Sequence, residues 1–568
     1  GAPTIRTYVL TITRTLPTTT PEVHSGDEHF VVRNYVLPSP TISHDVDEGV
    51  TLFVFRFDRE DVIPNAAFDE IADRLAKLER ETLLFLDCID EIQWTIEGHP
   101  SGHYTRQISQ TGEGYRIVRL VMEQAEESNE SPFLVFDASP DAPATERTAV
   151  AFLLNESPNA NALGYLVRPL HSSPLSVFFP TKIETKLKFL VHGPYRTTPT
   201  RETIHEDNPL NRDLINRAVD LLVTALNQSR ELGLLTPGFL ECLPLRETDF
   251  SDRVFFKPFF SKVKDTLQSE PLLPRDRGGF ASADQVRIAG SQAVRDLLTD
   301  EQLTTLFGAE KPLSWLSGSI TSAKSSDLFH YLTKSLGIQE ITPERIAGAV
   351  TPQFIQAQTD EWLAGFYSFL ASQEALWRPA AHHRSAGPLR SKAFIRLSDG
   401  THVAPFHADG THLAYLPPDE GGSEFPLVSR VVADFPHAKE FLKKLGLQTP
   451  DVIAEALRNV LPRYELDDAV TPESHLLNLG FIFRALEAPQ SESKKQLEAK
   501  LRETAFVLAR DSSTGETAYK RPGEVYWRTV ELTKYFTGAD ESIWFLTDEL
   551  SESQIAVFSK LGVTNRPR

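Results

Sequence analysis

Cysteine is scarce in this chain of 568 residues, which contains only Cys88 and Cys242. Two cysteines so far apart do not suggest a disulfide framework or a zinc knuckle. Both lie in apolar contexts that are typical of buried free thiols. Because disulfides are rare in reducing compartments, we expect a cytoplasmic location.

Long apolar runs and an excess of positive charge are also missing. No segment approaches the roughly eighteen uninterrupted apolar residues of a membrane-spanning helix, so we expect no membrane partner. The formal net charge is -20, whereas binding to nucleic acid needs a concentrated basic face, which we do not find. The one methionine is Met122 and position 1 is Gly1, so we expect a fragment or a processed product.

The overall composition is that of an ordinary globular protein, with 40% apolar and 24% charged residues. The length exceeds that of a single core and predicts roughly three or four domains. Helical patterns and strand-like patterns both occur along the chain. We therefore predict an α+β, multidomain fold.

The first 95 residues suggest one α+β unit. Alternation predicts a strand over 50–58, and helical spacing of Phe68, Ile71, Leu75 and Leu78 predicts a helix over about 65–79. The sequence IQWTI that follows is strand-like. From there to about residue 180 the pattern is mostly strands, and the five residues KIETK between SVFFPT and LKFLVHG predict a hairpin.

A basic loop then separates the strand LKFLVHG from a long helix. It carries His192, Arg196, Arg201 and His205, with Arg212 just inside the helix. Asn208 and Pro209 are suited to the N-cap and first position of that helix, and Gly233 to its end. Helix N-termini favour anions, so the loop is either a solvated connection or a basic loop held over a phosphate.

An internal repeat occupies the second half of the chain. Three amphipathic segments end in Leu-Gly, namely YLTKSLG, FLKKLG and VFSKLG. Three turn-bearing strand pairs recur in the same order, at a spacing of about 110 to 120 residues that suits a repeated α+β module. We predict one module over 241–390, a second over 391–503 and an incomplete third over 504–568.

Several of these stretches together resemble a known family. TPEVHSGDEHFVVRNYV, ETLLFLDCIDEIQW and FFPTKIETKLKFLVHGPYRTTPTRETI, followed by NPLNRDLINRAVDLL, are similar to the sacsin-type branch of the GHKL ATPases, relatives of the Hsp90 chaperones. The resemblance is good over residues 20–235 and looser beyond. It implies that residues 1–95 are the C-terminal remnant of an ATPase domain and that 96–240 form a middle, transducer-like domain.

The resemblance also assigns roles to particular residues. Phe179, Pro180 and Lys182 are matched to a short chaperone motif whose basic residue contacts the terminal phosphate of ATP, which makes Lys182 the cofactor-binding residue. Thr200, Arg201 and Glu202 match the Ser-Arg-Glu that precedes the helical part of the middle domain. Lys182, Arg196 and Arg201 are therefore the expected catalytic residues.

The family's nucleotide motifs are absent. The carboxylate with an Asn one turn later for magnesium, the Asp-x-Gly-x-Gly for adenine and the Gly-x-x-Gly-x-Gly phosphate lid do not occur. We therefore expect no cofactor for this chain alone, and ATP with magnesium only in the context of an N-terminal domain that the sequence lacks. Alone, the chain should not hydrolyse ATP.

Structural interpretations compete with these functional ones. Arg196 and Arg201 could tether the loop through ion pairs with Glu202, Glu206 or Asp207. His402, His407 and His412, with His382 and His383 upstream, suggest a metal site, but they belong to strand segments introduced by Asp-Gly turns and lack the close-paired ligands of zinc sites. We expect no metal there.

Two functional hypotheses remain. The chain is either the coupling and client-binding part of an ATP-driven, chaperone-like machine or a nucleotide-independent scaffold for protein-protein interaction. Both imply protein clients or partners, and both leave a homo-oligomer open.

Overall fold

The computed structural model describes most of the chain from residue 64 onward and three short strands before it. The described residues are 7–12, 23–25, 51–53, 64–86, 89–96, 99–124, 127–138, 146–158, 160–379, 386–408, 410–418, 425–465, 470–536, 543–547 and 552–566. Most of the motif at 20–36, most of the predicted strand at 50–58, and Cys88, His382 and His383 lie outside them.

The described strands belong to several separate sheets. They are β1 Thr7–Ile12, β2 Val23–Ser25, β3 Thr51–Phe53, β4 Glu91–Ile96, β5 Gly102–Gly112, β6 Tyr115–Gln124, β7 Glu127–Asp137, β8 Ala149–Glu156, β9 Tyr165–Arg168, β10 Pro174–Val177, β11 Phe179–Glu184, β12 Leu190–His192, β13 Leu273–Pro274, β14 Phe280–Ala281, β15 Val286–Ala289, β16 Ser314–Trp315, β17 Glu340–Ile341, β18 Ile395–Arg396, β19 His402–Val403, β20 Val507–Asp511, β21 Thr517–Lys520, β22 Val525–Tyr526 and β23 Trp544–Leu546.

Helices of very different length lie between them. The α-helices are α1 Pro64–Ala76, α2 Pro209–Glu231, α3 Pro237–Leu240, α4 Lys257–Ser269, α5 Gln292–Leu297, α6 Asp300–Phe307, α7 Ser326–His330, α8 Pro343–Ala349, α9 Pro352–Gln356, α10 Asp360–Ala371, α11 Arg430–Ala433, α12 Pro436–Leu445, α13 Val452–Glu455, α14 Pro472–Glu487, α15 Glu492–Glu503, α16 Val530–Tyr535 and α17 Glu552–Leu561. The chain is thus a mixed α/β protein. None of the described helices combines the length and the hydropathy needed to cross a bilayer.

The chain divides into two compact units. The first comprises residues 1–289 and 311–340, and the second comprises 290–310 and 341–568. The five segments predicted from the sequence are narrower than these units, and their boundaries stay a prediction.

A ten-stranded sheet dominates the first unit, in the order β1-β4-β5-β6-β7-β8-β12-β10-β11, with β9 paired to β8. It includes the strand predicted at IQWTI, so the sheet is continuous across residue 95. Side chains of successive strand residues point to opposite faces. On one face Val118, Phe133 and Val135 pack with α1 and the 3-10 turn at 80–83.

The other face of the sheet carries the larger core. Ile117, Leu134 and Phe152 pack there with α2 and α4. This core extends from residue 117 to residue 338 and is continuous across residue 240.

The hairpin predicted across KIETK is wrong. The segment SVFFPT is not one strand but parts of β10 and β11, which pair antiparallel with Val177 opposite Phe179. Phe178 makes the reversal in the left-handed region, with φ of 63°. The strand β12 instead pairs parallel with β10 and antiparallel with β8. The chain therefore reverses at Phe178, several residues before the segment KIETK that predicted the turn.

The long helix after the basic loop forms as predicted. Asn208 caps α2 by accepting a hydrogen bond from the N–H of Leu210, and Pro209 is its first residue. Its apolar face is buried and includes Leu214, Ala218, Leu221, Leu222 and Ala225. The helix ends before Gly233, whose φ of 71° reverses the chain.

Three regions of the second half share one strand-pairing scheme. Each begins with an antiparallel hairpin, β13-β14, β18-β19 or β20-β21, as the turn-bearing strand pairs predict. A third strand follows the hairpin, and a fourth strand lies between this third strand and the first strand of the hairpin. The fourth strand pairs antiparallel with the first strand and parallel with the third. The antiparallel pairs are Arg275 with Leu316, Leu397 with Val428, and Ala509 with Leu546. The parallel pairs are Val286 with Ser314, Tyr415 with Leu427, and Val525 with Trp544.

The Leu-Gly segment closes each of these regions in the same way. Its glycine, Gly337, Gly446 or Gly562, has a positive φ and ends a helix. The buried residue after the glycine donates its N–H to a carbonyl of the last helical turn. These bonds join Ile338 to Leu332, Leu447 to Leu442, and Val563 to Phe558. In the first copy the last turn is a π turn, Tyr331–Ser335.

Candidate functional site

The basic loop is an ordered hairpin. Thr197 and Ile204 form an antiparallel bridge, and the N–H of Thr198 donates to the carbonyl of Thr203. The N–H of Arg201 donates to the carbonyl of Thr198 at 2.9 Å and closes the turn, where Arg201 has φ of 56°. The loop's own backbone hydrogen bonds therefore hold its shape.

Asn211, on the first turn of α2, closes the base of this hairpin. Its side chain accepts from the N–H of Arg196 at 2.7 Å and donates to the carbonyls of Arg196 and His205, both at 2.9 Å. It is fully buried. Asn211 was not among the residues predicted from the sequence, although it lies on the same helical face as Leu214, Ala218 and the other apolar residues, where a polar side chain needs a partner.

Lys182 lies beside the hairpin on β11. Its N–H donates to the carbonyl of Arg201 at 3.1 Å, and its ammonium donates to Glu202 Oε1 at 2.6 Å. The side chain of Lys182 is 74% exposed. The hydrogen bond and the charge of Lys182 lower the pKa of Glu202. Lys182 is thus an accessible cation that is balanced by one accessible carboxylate.

Arg201 is held by groups that the sequence did not indicate. Its guanidinium donates to the carbonyl of Val177 at 3.2 Å and lies over the ring of Phe179, 5.5 Å from the centroid. In the described part of the chain it has no ion pair with Glu202, Glu206 or Asp207, so the tethering ion pair considered from the sequence is not formed by Arg201. Asp207 pairs with Arg212 instead, at 2.7 Å.

Arg196 and His205 come together on another side of the loop. With Tyr195, Thr197 and Asn208 they line a shallow depression at the start of α2. Both side chains are exposed. The structure therefore gathers Lys182 with Arg201 and Glu202, and Arg196 with His205, as two separate groups.

His192 does not belong to the loop surface. It is buried, stacked on Phe85 with ring centroids 4.6 Å apart, and meets the edge of Phe178 at 5.4 Å. His192 therefore does not face an anion bound at the loop surface. His192 instead packs against Phe178, which forms the turn between β10 and β11.

Backbone strain is concentrated in this region. Within the described residues, the non-glycine residues with positive φ are Phe178, Lys186 and Arg201. Two of them are linked, because Arg201 bonds to the carbonyl of Val177 next to Phe178. Such conformations cost of order 1–3 kcal/mol each and tend to cluster at functional sites and switch regions.

The histidines considered for a metal have other partners. His402 accepts a hydrogen bond from Arg396 Nε at 3.1 Å and shares one with Gln356 at 2.7 Å. Burial and the charge of Arg396 lower the pKa of His402. His412 bonds to the carbonyl of Gly446 at 3.0 Å. In the part of the chain that the structure describes, no three potential metal ligands are grouped.

Cys242 is buried, as its apolar context predicts. Burial raises the pKa of its thiol, which disfavours the reactive thiolate.

Comparison with protein-family models, with curated proteins and with solved structures finds no match. The resemblance to the sacsin-type ATPases therefore stays a prediction from the sequence. Any function assigned to the loop rests on the contacts described above.

Proposed function

We propose that this chain is the coupling and partner-binding part of a sacsin-type, Hsp90-like ATP-driven protein, with Lys182 as the sensor of the terminal phosphate. ATP and magnesium would be held by a domain outside these 568 residues. The observation that carries the proposal is the pair between Lys182 and Glu202. It presents an exposed ammonium on a strand that is bonded to the strained loop.

The exposed position of this pair makes it exchangeable. An ion pair between exposed side chains contributes about 0–1 kcal/mol, so a phosphate group that carries more charge can replace Glu202. Glu202 would then be released at the tip of the hairpin. Phosphate binding would in this way change the charge of the loop while Lys182 keeps its place.

A route from the loop to the helix exists in the same contacts. The backbone of Lys182 is bonded to Arg201, the hairpin connects Arg201 to Arg196 and His205, and Asn211 bonds both of these to α2. Displacement of the hairpin tip is therefore transmitted to the base of the hairpin, which Asn211 bonds to α2. We propose this route as the coupling element.

Inorganic tripolyphosphate tests the sensor without the proposed nucleotide-binding domain. Calorimetric titration of the full chain should show weak binding that Lys182→Ala removes and that Glu202→Gln strengthens by about three- to ten-fold, because the competing carboxylate is gone. Glu440→Gln is the matched control, since Glu440 forms a similarly exposed pair with Lys444 at 2.7 Å. Equal binding by all four proteins would contradict the proposal.

A nucleotide-independent scaffold is the second candidate. It is favoured by the threefold recurrence of one strand-pairing scheme, because repeated modules commonly present repeated binding surfaces. A scaffold requires no response to polyphosphate. The same titration therefore separates the two functions.

A further inference from the structure

Two neighbouring strands of the large sheet separate along part of their length. β7 and β8 pair from Phe133 with Leu153 to Asp137 with Ala149. Beyond Leu153, β8 pairs only with β9, and the residues of β7 before Phe133 pair only with β6. The facing edges of these two stretches therefore have no ladder partner among the described residues.

A cavity of about 860 Å³ lies at this separation. It is lined by Asn129–Pro132 of β7 and by Leu153–Glu156 of β8. Because successive side chains of a strand point to opposite faces, a cavity lined by four consecutive residues of each strand reaches into the space between the strands. Its other lining residues, among them Leu170 and Leu190, extend it onto one face of the sheet. Its volume is within the range of about 300–1,000 Å³ that is usual for ligand sites.

The two faces of the sheet differ at this gap. At one face Arg119 bridges the strands, because its guanidinium contacts Glu130 of β7 and donates to Glu156 of β8 at 2.9 Å. The hydroxyl of Tyr165 accepts from the same guanidinium at 2.9 Å. This face is therefore closed by an ion-paired side chain.

The other face carries apolar, acidic and basic side chains. Leu170 and Leu190 line the cavity together with an acidic rim, Glu79 and Glu81, and with Arg168 and His171. Burial, the charge of Glu81 and the charge of Glu184 all raise the pKa of Glu79. In the described part of the chain Glu79 has no ion-pair partner, so a cation brought to this rim would relieve repulsion between carboxylates.

We propose that the gap between β7 and β8 binds an extended segment of a partner protein, which adds to the edge of β7 as a strand and places a basic side chain against Glu79 and Glu81. Two observations with different origins support this ligand. The unpaired strand edges favour an extended backbone, and the acidic rim favours a cationic side chain. Neither involves Lys182 or a nucleotide, so the inference does not rest on the proposed function.

The dimensions fix the length of the segment. Four residues of β7 along the gap span about 13 Å at 3.3 Å per residue, which matches about four residues of ligand. Half of the N–H and C=O groups of β7 in this stretch point away from β6. Pro132 has no N–H, so the donors come from Asn129–Ser131.

Synthetic peptides test both parts of the proposal. A fluorescein-labelled peptide of eight residues that alternates Val and Lys should bind the full chain, as measured by fluorescence anisotropy. A peptide that alternates Val and Glu should bind at least about ten-fold more weakly, because its charge is wrong. The Val-Lys peptide with N-methylated alternate amides should bind equally weakly, because it cannot form the ladder. Equal binding by either modified peptide would overturn the proposal, as would no binding of the first.

Charge variants and hydrogen exchange test where on the chain the peptide binds. Glu79→Lys should weaken binding of the Val-Lys peptide by about ten-fold, whereas Glu310→Lys, the same change at an exposed residue elsewhere, should leave it unchanged. Hydrogen exchange of the amides at 129–131 and 154–156 should slow when the peptide binds. An equal effect of both variants, or protection only outside these two stretches, would show that the gap is not the site.

Discussion

At the scale of single residues, Asn211 is the side chain on which the order of the basic loop depends. Asn211→Ala would leave the N–H of Arg196 without its partner and would remove one of the two hydrogen bonds that each of the carbonyls of Arg196 and His205 accepts. We expect the free energy of unfolding to fall by about 2–4 kcal/mol, because an unsatisfied buried polar group costs about 1–3 kcal/mol and each further lost hydrogen bond about 1 kcal/mol. Urea unfolding of the full chain measures this.

The control for this prediction lies on the same helix. Asn227 is half-buried and donates to the carbonyl of Val223 and to Glu270, so Asn227→Ala should cost only about 1 kcal/mol. If both alanine variants lost the same stability, Asn211 would not be the residue that closes the loop.

At the scale of elements, the Leu-Gly helix ends depend on the left-handed conformation of their glycine. Gly446 has φ of 108°, and a Cβ there would lie 3.4 Å from Phe406 Cζ. We expect Gly446→Ala to lower the free energy of unfolding by about 1–2 kcal/mol, because a Cβ disfavours this conformation. Urea unfolding provides the measurement.

Gly480 is the matched control because it lies inside α14 of the same unit, where a Cβ would meet no atom within 4 Å beyond its own helix backbone and chain neighbours. Gly480→Ala should raise the stability by about 0.5–1 kcal/mol, since alanine favours a helix more than glycine does. A loss of stability from both changes would mean that the positive φ of Gly446 is not what makes it necessary.

At the scale of the whole molecule, the larger core decides where the chain can be divided. Phe259 lies 6.0 Å from Phe189 and Phe260 lies 5.9 Å from Tyr331, ring centre to ring centre, so residues on both sides of 240 share one core. We expect a fragment 1–340 to unfold cooperatively in urea. A fragment 1–240 should instead bind the dye ANS, because its apolar face is exposed.

Cooperative unfolding of the fragment 1–240 would contradict this prediction. It would show that the core of residues 117–240 is stable without α4 and the segment around Tyr331. The boundary predicted at residue 240 would then stand.

The sequence by itself determined the elements whose signals are local. The periodicity that includes Phe68 predicted α1, and Asn208, Pro209 and Gly233 predicted both ends of α2. The turn-bearing strand pairs and the Leu-Gly segments formed where they were predicted, because capping, turn and amphipathic patterns act within a few residues.

Only the tertiary structure decided the contacts between distant residues. It placed the chain reversal at Phe178, where no turn residue marks it, and it put His192 into the core beside Phe85. It also gave Arg201 the carbonyl of Val177 as a partner and separated β7 from β8. These outcomes depend on which surfaces are buried together, and burial is a property of the folded chain that no local pattern of residues contains.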